Sequence, residues 1–174
     1  MIKLLLYRKV LVVCIFMASL LLVSCESAQN KNDSQGSAIS SEEVEGLKTI
    51  GMSGLNDLKK KYSDKVILVN FFASWCPPCK EETPEFIEVY NENKDKFVII
   101  GLSIDDSKKD AVNFINDMGI PYPVFHAKRS LEKRLNITGV PTNIFYAPGG
   151  ELYNFYVGAL SKDFVEKVIA QISG

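Results

Sequence analysis

Two cysteines separated by two residues are the side chains of this sequence best suited to chemistry. Cys76 and Cys79 stand where an apolar run ends and a polar segment with helical spacing begins. Residues at i and i+3 share one face of a helical turn, so the two sulfurs are within disulfide reach. The unpaired N–H groups and partial positive charge of a helix N-terminus favour a thiolate at Cys76. Pro77 and Pro78 remove no intrahelical hydrogen bond in a first turn, and they stiffen the loop that holds the sulfurs.

The elements that would hold these cysteines are a buried strand and the helix that follows it. Residues 65–72 form a continuous apolar run rich in β-branched side chains, which suits a central strand buried on both faces. Residues 97–104 show the same pattern. Between these strands, residues 77–94 are polar except at spaced apolar positions, which predicts a helix. These apolar positions are Phe86, Ile87, Val89 and Tyr90.

The rest of the chain continues the alternation of strands and helices. Ser107 and Asp110 resemble a capping box that opens a helix, and Gly119 is a plausible stop. The apolar stripe of this helix is Ala111, Phe114, Ile115 and Met118. A hairpin is predicted over 142–157 with a turn at 148–150, followed by a helix capped by Ser161. A short strand at 47–50 and a short helix at 54–62 precede them. We therefore predict an α/β fold with a parallel core sheet and an antiparallel hairpin at its edge.

Composition and charge exclude several classes of protein. The chain has 174 residues, of which 47% are hydrophobic and 24% charged, as in ordinary globular domains. Twenty basic and 21 acidic residues give a formal net charge of -1. Without a basic excess, the sequence offers no electrostatic support for binding nucleic acid. Disorder of the whole chain and a disulfide-packed miniprotein are excluded as well.

The first 24 residues have the pattern of a secretory signal peptide. Three basic residues lie within residues 1–9, and residues 10–23 form an almost unbroken apolar run. A membrane-spanning helix needs about 20 residues, so this run is too short to span comfortably. It ends in Leu22-Val23-Ser24-Cys25, which resembles the bacterial lipobox, where the cysteine receives a lipid and becomes the new N-terminus. We predict cleavage after residue 24 and lipidation of Cys25; an uncleaved anchor and a plain signal peptide are the alternatives.

The segment 25–45 has the composition of a flexible tether, and residues 46–174 form the predicted folded domain. The tether is rich in Ser, Asn, Gln, Glu and Asp, and such a segment buries too little apolar surface to fold. A domain exported in this way lies outside the cytoplasm, where disulfides form and persist.

Two other uses of the cysteine pair have less support. Tetrahedral zinc requires about four ligands, and after cleavage the chain would add only His126 and the lipidated Cys25. We therefore expect no metal site. A purely structural disulfide across two residues would close almost no loop and stabilise little through chain entropy.

The segment Trp75-Cys76-Pro77-Pro78-Cys79, placed at the end of an apolar strand, resembles the redox motif of the thioredoxin superfamily. The version here is most similar to the membrane-anchored thiol–disulfide oxidoreductases of the TlpA/ResA type, and the resemblance extends over roughly residues 47–172. It implies a thioredoxin fold with an additional βα element between the strand at 97–104 and the loop at 139–142. It also implies that Cys76 is the exposed nucleophile and that Cys79 resolves the mixed disulfide.

A second signature of that superfamily is Gly139-Val140-Pro141-Thr142, which resembles its cis-proline loop. The resemblance implies that this loop packs beside the active-site disulfide. The backbone of Val140 would then present its N–H and C=O groups to an extended peptide, as in strand addition. An ordinary proline turn before a strand is the alternative.

Asn70 and Glu82 separate subfamilies within this resemblance. Thioredoxin itself has a buried aspartate six residues before the first cysteine, where this chain has Asn70, which cannot accept a proton. TlpA/ResA-like proteins carry a glutamate three residues after the second cysteine, matched here by Glu82 and followed by Pro84. Glu82 lies one helical turn beyond Cys79 and is a candidate acceptor of its proton; a solvated helix glutamate is the alternative. Pro84 is expected to kink the helix.

Trp75 and His126 are two ring-bearing residues with different expected roles. Trp75 abuts the cysteine, so we expect it to cover the disulfide and line a surface that binds partner proteins, together with Pro77 and Pro78. His126 is a lone histidine in a β-like or loop stretch. We expect it to be structural rather than catalytic.

The resemblance implies an extracytoplasmic enzyme without a cofactor, most similar to reductases of protein disulfides. Its partners would be disulfide-bearing substrates, such as the Cys-x-x-Cys-His segment of apocytochromes c, and a membrane thiol–disulfide electron donor. We expect a monomer held at the membrane by its lipid. A disulfide oxidase or isomerase on the same fold is the first alternative, because direction follows a reduction potential that the sequence does not supply. A copper metallochaperone using Cys76 and Cys79 is the second.

Overall fold

The computed structural model describes residues 46–173. The predicted signal peptide, the lipidation site at Cys25 and the tether at 25–45 lie outside the described residues. No helix within residues 46–173 is both long and apolar enough to cross a membrane.

The described residues form a mixed sheet with helices on both faces. The strands are β1 (Thr49–Ile50), β2 (Val66–Phe72), β3 (Phe97–Ser103), β4 (Val124–Ala127), β5 (Thr142–Tyr146) and β6 (Leu152–Val157). The helices are α1 (Met52–Lys61), α2 (Pro77–Glu92), α3 (Lys108–Met118), α4 (Arg129–Arg134) and α5 (Lys162–Ile172). The sheet order is β1-β4-β3-β2-β5-β6. Strands β1 to β4 are parallel, β5 runs antiparallel to β2, and β6 runs antiparallel to β5. The prediction of a parallel core with an antiparallel hairpin is therefore confirmed.

β2 and β3 lie at the centre of the sheet, and every residue in both strands is buried. Alternate side chains of β2 enter two different cores, because successive side chains of a strand point to opposite faces. Ile67 and Val69 pack in one core with Leu55 of α1 and Leu131 of α4. On the other face, α2 and α5 cover the sheet. That second core includes Val66, Leu68, Phe86, Val89, Val165 and Val168.

A third, smaller cluster joins the two cores to the cysteines. Phe72 at the end of β2 and Phe114 of α3 have ring centroids 5.2 Å apart. Both pack with Ala73, Cys76 and Cys79. The carboxyl end of the central strand, the start of α2 and the middle of α3 thus meet at the candidate site.

The segment between α3 and β5 contains one strand and one short helix. β4 inserts between β1 and β3, and the short helix α4 follows it. This is the βα element that the family resemblance implied, but neither element has a strong local signal. β4 is four residues long and mostly half-buried, and α4 is only six residues long. Pairing with β1 and β3 stabilises β4.

The helix ends lie within two residues of the predicted ones, but the capping at Ser107 differs from the prediction. Ser107 precedes α3, but its side chain forms no capping hydrogen bond, so the predicted capping box is wrong. Its backbone carbonyl accepts from Asp110 and Ala111 instead. At the other end of α3, Gly119 adopts φ 62°, the left-handed conformation that favours glycine. Ser161 caps α5 as expected, accepting a hydrogen bond from the Phe164 N–H.

Candidate active site

Cys76 and Cys79 form a disulfide at the N-terminus of α2, with an S–S distance of 2.13 Å and a Cα–Cα distance of 5.3 Å. Cys76 is the N-cap residue, and its sulfur accepts the Cys79 N–H at 3.3 Å. Pro77 and Pro78 occupy the first two helical positions, where a missing N–H leaves no helical bond unmade. The local signals of the sequence therefore place both sulfurs on one helical turn.

The sulfurs are buried, which corrects the expectation of an exposed Cys76. The exposed fraction of Cys76 is 2%, and that of Cys79 is 0%. Both cysteines pack in the cluster with Phe72, Ala73 and Phe114, and that apolar contact excludes solvent from the disulfide. Trp75 is 64% exposed beside them, so the ring projects from the surface.

The loop before β5 lies against the same cluster. The Val140–Pro141 peptide bond is cis, as the resemblance implied. Val140 is partly buried and packs against the cluster that contains the cysteines. The loop is held by Thr142, whose hydroxyl donates to the Gly139 carbonyl at 2.7 Å, and by the Gly158 N–H, which donates to the Pro141 carbonyl at 2.8 Å. Cys76, Cys79, Val140 and Pro141 are thus brought together by the fold.

Glu82 is buried, with 2% exposed, and its carboxylate is surrounded by hydrogen-bond donors. Asn70 donates to Oε1 at 2.8 Å, while Asn143 and the Leu160 N–H donate to Oε2 at 3.2 Å and 3.1 Å. Burial raises the pKa of Glu82 to about 7, although these three hydrogen bonds act in the opposite direction. The solvated alternative for Glu82 is therefore wrong, whereas the neighbouring Glu81 is exposed.

Pro84 lies inside α2, and the helix continues through it to Glu92. The hydroxyl of Thr83, the residue directly before Pro84, donates to the Cys79 carbonyl one turn earlier at 2.7 Å. This segment of α2 is buried at Cys79, Glu82 and Thr83, so it carries the disulfide and the carboxyl group on its inner side.

Asp105 anchors the loop that leads into the motif. Its carboxylate accepts from the Ser74 N–H at 3.0 Å, the Ser74 hydroxyl at 2.6 Å and the Ser103 hydroxyl at 2.8 Å. The Asp105 carbonyl faces His126 Nε2 at 2.7 Å, so His126 supports this anchor. His126 thus has a structural contact, in line with the interpretation of the sequence. Within residues 46–173, its buried Nδ1 has no hydrogen-bond partner.

Four polar residues of these networks were missed at the level of the sequence. They are Ser74, Ser103, Asp105 and Asn143. Asn143 did carry a signal, because it is a single amide in the otherwise apolar or small run Thr142–Tyr146, much as Asn70 is in β2. Among the described residues, no group of three or more His, Cys, Asp or Glu side chains is arranged to hold a metal ion.

Comparison with known proteins identifies the family. The thioredoxin-like family model matches residues 64–152, which include the cysteine motif and the cis-proline loop. The chain belongs to the thioredoxin-like family. The structure is also similar to the crystal structure of a thiol:disulfide interchange protein of the thioredoxin family from Chlorobium tepidum. The TM-score is 0.63 and the identity 29%, over 67% of this chain and 85% of that one.

Curated members of this thioredoxin-like family are similar in sequence. The thiol-disulfide oxidoreductase ResA of Oceanobacillus iheyensis is 36% identical over 111 residues, which cover 63% of this chain and 58% of that protein. ResA of Bacillus thuringiensis is 30% identical over 126 residues, which cover 68% of each chain. The match thus spans a little under three fifths of the first relative and about two thirds of the second. These names agree with the activity class predicted from the motif.

Proposed function

We propose that the protein is an extracytoplasmic thiol–disulfide oxidoreductase that reduces protein disulfides through Cys76 and Cys79. The observation that carries the proposal is the Cys76–Cys79 disulfide at the start of α2, packed with Val140 of the cis-proline loop. A helix N-terminus stabilises a thiolate on its first cysteine, and a second cysteine one turn later can displace whatever that thiolate has bound.

The first step is attack by the reduced protein on a substrate disulfide. The Cys76 thiolate bonds to one substrate sulfur, the substrate S–S bond breaks, and the other substrate sulfur leaves as a thiolate that takes up a proton. The product is a mixed disulfide between Cys76 and the substrate. An extended substrate segment could hydrogen-bond to the Val140 backbone during this step, and the exposed Trp75 offers an apolar surface beside it.

The second step resolves the mixed disulfide. Cys79 loses its proton and attacks the Cys76 sulfur, so that the intramolecular disulfide forms and the second substrate sulfur departs as a thiol. Cys79 is fully buried, so its proton requires a nearby acceptor. We assign this role to Glu82, which lies one turn further along α2 and has a pKa near 7, where a general base works well at neutral pH.

The protein would complete its cycle by receiving two electrons at the membrane. Its lipid on Cys25 and the tether at 25–45 would keep the domain, as a monomer, close to a membrane thiol–disulfide donor. Because Cys76 is only 2% exposed in the disulfide form, a donor must displace part of the apolar cover to reach its sulfur. Apocytochromes c with a Cys-x-x-Cys-His segment are the substrates that we propose.

The direction of electron flow is tested by the reduction potential of the Cys76–Cys79 pair. Equilibration of the protein with glutathione or dithiothreitol buffers, read by alkylation and mass, measures it. A reductase requires a value near or below about −250 mV, whereas a value near −120 mV is that of an oxidant and would overturn the proposed direction.

The roles of the two cysteines are tested by labelling and trapping. In the reduced domain, Cys76 should alkylate faster than Cys79, because Cys76 stands at the helix N-terminus and Cys79 is fully buried. Cys79→Ser should accumulate a mixed disulfide with a peptide that carries a disulfide, and Cys76→Ser should not. Equal labelling of both thiols would contradict this assignment of roles, and trapping by Cys76→Ser alone would reverse it.

A further inference from the structure

A pair of buried amides connects Glu82 to the Gly158 carbonyl, just after the end of β6. Asn70 of β2 and Asn143 of β5 are direct partners in the antiparallel register, and both are almost completely buried, with 3% and 0% exposed. The Asn70 Nδ2 donates to Asn143 Oδ1 at 2.9 Å. Buried amides in two strands that are buried at every position are costly unless each polar atom is satisfied.

The Gly158 carbonyl determines how the two amides are oriented. Asn143 Nδ2 lies 3.1 Å from this carbonyl, which can only accept, so the NH₂ group of Asn143 must point toward it. Asn143 Oδ1 is then the atom that faces Asn70, and it must accept from the Asn70 NH₂ group. The second hydrogen of each amide is directed at Glu82.

Every contact that reaches the Glu82 carboxyl group in this network is therefore a donor. Asn70, Asn143 and the Leu160 N–H all require an oxygen lone pair, and an ionised carboxylate supplies lone pairs on both oxygens. Oε1 accepts one of the three bonds and Oε2 accepts two, so Oε1 keeps the freer lone pair. The proton is best placed on Oε1.

We propose that Asn143 is a positioning residue that holds Glu82 in its ionised form, ready to accept a proton at Oε1. Asn143 touches neither sulfur in this arrangement and acts through the carboxylate. This inference rests on the proposed function in one respect, namely that the proton accepted is that of Cys79. The hydrogen-bond network also makes the Gly158–Leu160 segment part of the proton-accepting site, since both ends of this segment bind it.

Other groups around Glu82 oppose ionisation. Glu85 on the same helix raises the pKa of Glu82 through its charge, and burial raises it more. Tyr122, which precedes β4, is close enough that the charge on Glu82 contributes to the raised pKa of its phenol. On α5, the Lys162 ammonium pairs with Glu88 and Glu92. The Leu160 N–H and, after it, the Asn143 and Asn70 amides are the groups that favour the charged form.

The first experiment titrates Glu82 in the oxidised protein, where no thiol contributes. The probe is the infrared band of protonated carboxyl groups, assigned to Glu82 by its loss in Glu82→Gln. Asn143→Leu removes the donor at nearly constant shape and should raise the Glu82 midpoint by about one pH unit from its wild-type value near 7. Asn143→Ser, which keeps a hydroxyl, should raise it less and serves if the leucine variant does not fold.

The matched control is Asn154→Leu, the same change at an exposed amide of β6. Its midpoint should equal that of the wild type. A midpoint unchanged in both Asn143 variants, or a shift equal to that in Asn154→Leu, would overturn the inference.

The second experiment tests whether the hydrogen-bond network around Glu82 affects thiol–disulfide exchange. The rate at which the mixed disulfide resolves is followed against pH in the full reduced domain, with a peptide disulfide as substrate. The pH profile of Asn143→Leu should move upward by the same amount as its infrared midpoint, which lowers the rate about fivefold at pH 7. A shifted infrared midpoint with an unshifted rate profile would refute the link to Cys79. If the wild type exchanged no disulfide, the proposed function would fail, while the oxidised-state titration would still decide the role of Asn143.

Discussion

Replacing Glu82 by glutamine should change both the stability of the protein and its exchange rate. The pKa of Glu82 rises from 4.5 to about 7 on folding, which corresponds to about 3 kcal/mol at about 1.36 kcal/mol per unit. Because the folded-state pKa is the higher one, the folded protein binds more protons than the unfolded chain between these values. Stability contributed by this group is therefore present at low pH and is lost as the pH rises from about 4.5 to about 7.

Urea unfolding of the oxidised protein at pH 5 and pH 8 measures this loss. About 2–3 kcal/mol of it should fall within that window in the wild type and be absent from Glu82→Gln, since glutamine does not titrate. The NH₂ group of glutamine is itself a donor, and it would face one or more of the three donors that surround the carboxylate in the wild type. The variant should therefore lose some stability at low pH. The reduced variant should resolve its mixed disulfide about 10²-fold more slowly, the usual contribution of a general base.

Glu81→Gln is the matched control, because Glu81 is exposed on the same turn of α2. It should keep the wild-type dependence of stability on pH and the wild-type resolution rate. If Glu82→Gln showed the same dependence and rate as wild type, Glu82 would not be the group that titrates near pH 7 or accepts the proton of Cys79.

Other regions of the protein give three further predictions. Cys25→Ser should free the protein from the membrane while its reduction of insulin disulfides in vitro stays unchanged; continued tight membrane association would contradict lipidation. Trp75→Ala should raise KM for a protein substrate and change the melting temperature by no more than about a degree or two, because the ring is 64% exposed. An unchanged KM would show that Trp75 is not part of the surface that binds substrate. Asp105→Ala should lower the unfolding free energy by about 2–3 kcal/mol, because Ser74 and Ser103 lose a buried acceptor. Asp105→Asn should recover part of that loss in the same urea titration, and equal losses in the two variants would contradict this account.

Much of the site could be predicted because its signals are local. The strand at 66–72 is an apolar run, the motif follows it directly, and Pro77 and Pro78 favour a helix start at that position. The hairpin and α5 likewise carry their own turn and cap residues. The cis bond at Val140–Pro141 was anticipated from family resemblance rather than from the residues alone.

Long-range contacts could not be predicted from local sequence patterns. Asn143 and Glu82 are 61 positions apart, and Ser74 and Asp105 are 31 apart, so no local pattern pairs them. The burial of Cys76 depends on Phe114, which α3 brings back to the end of β2. Likewise, β4 is a strand because its backbone groups are paired on both sides by β1 and β3.

The sequence by itself determined where the dithiol stands on its helix, since backbone geometry and proline placement act over a few residues. The tertiary structure alone decided the environment of that dithiol, including its apolar cover and the donors around Glu82. The physical reason is that desolvation and hydrogen bonding depend on which distant segments fill the space around a group. Two glutamates that are neighbours in the chain, Glu81 and Glu82, therefore differ completely, one exposed and the other buried with a pKa near 7.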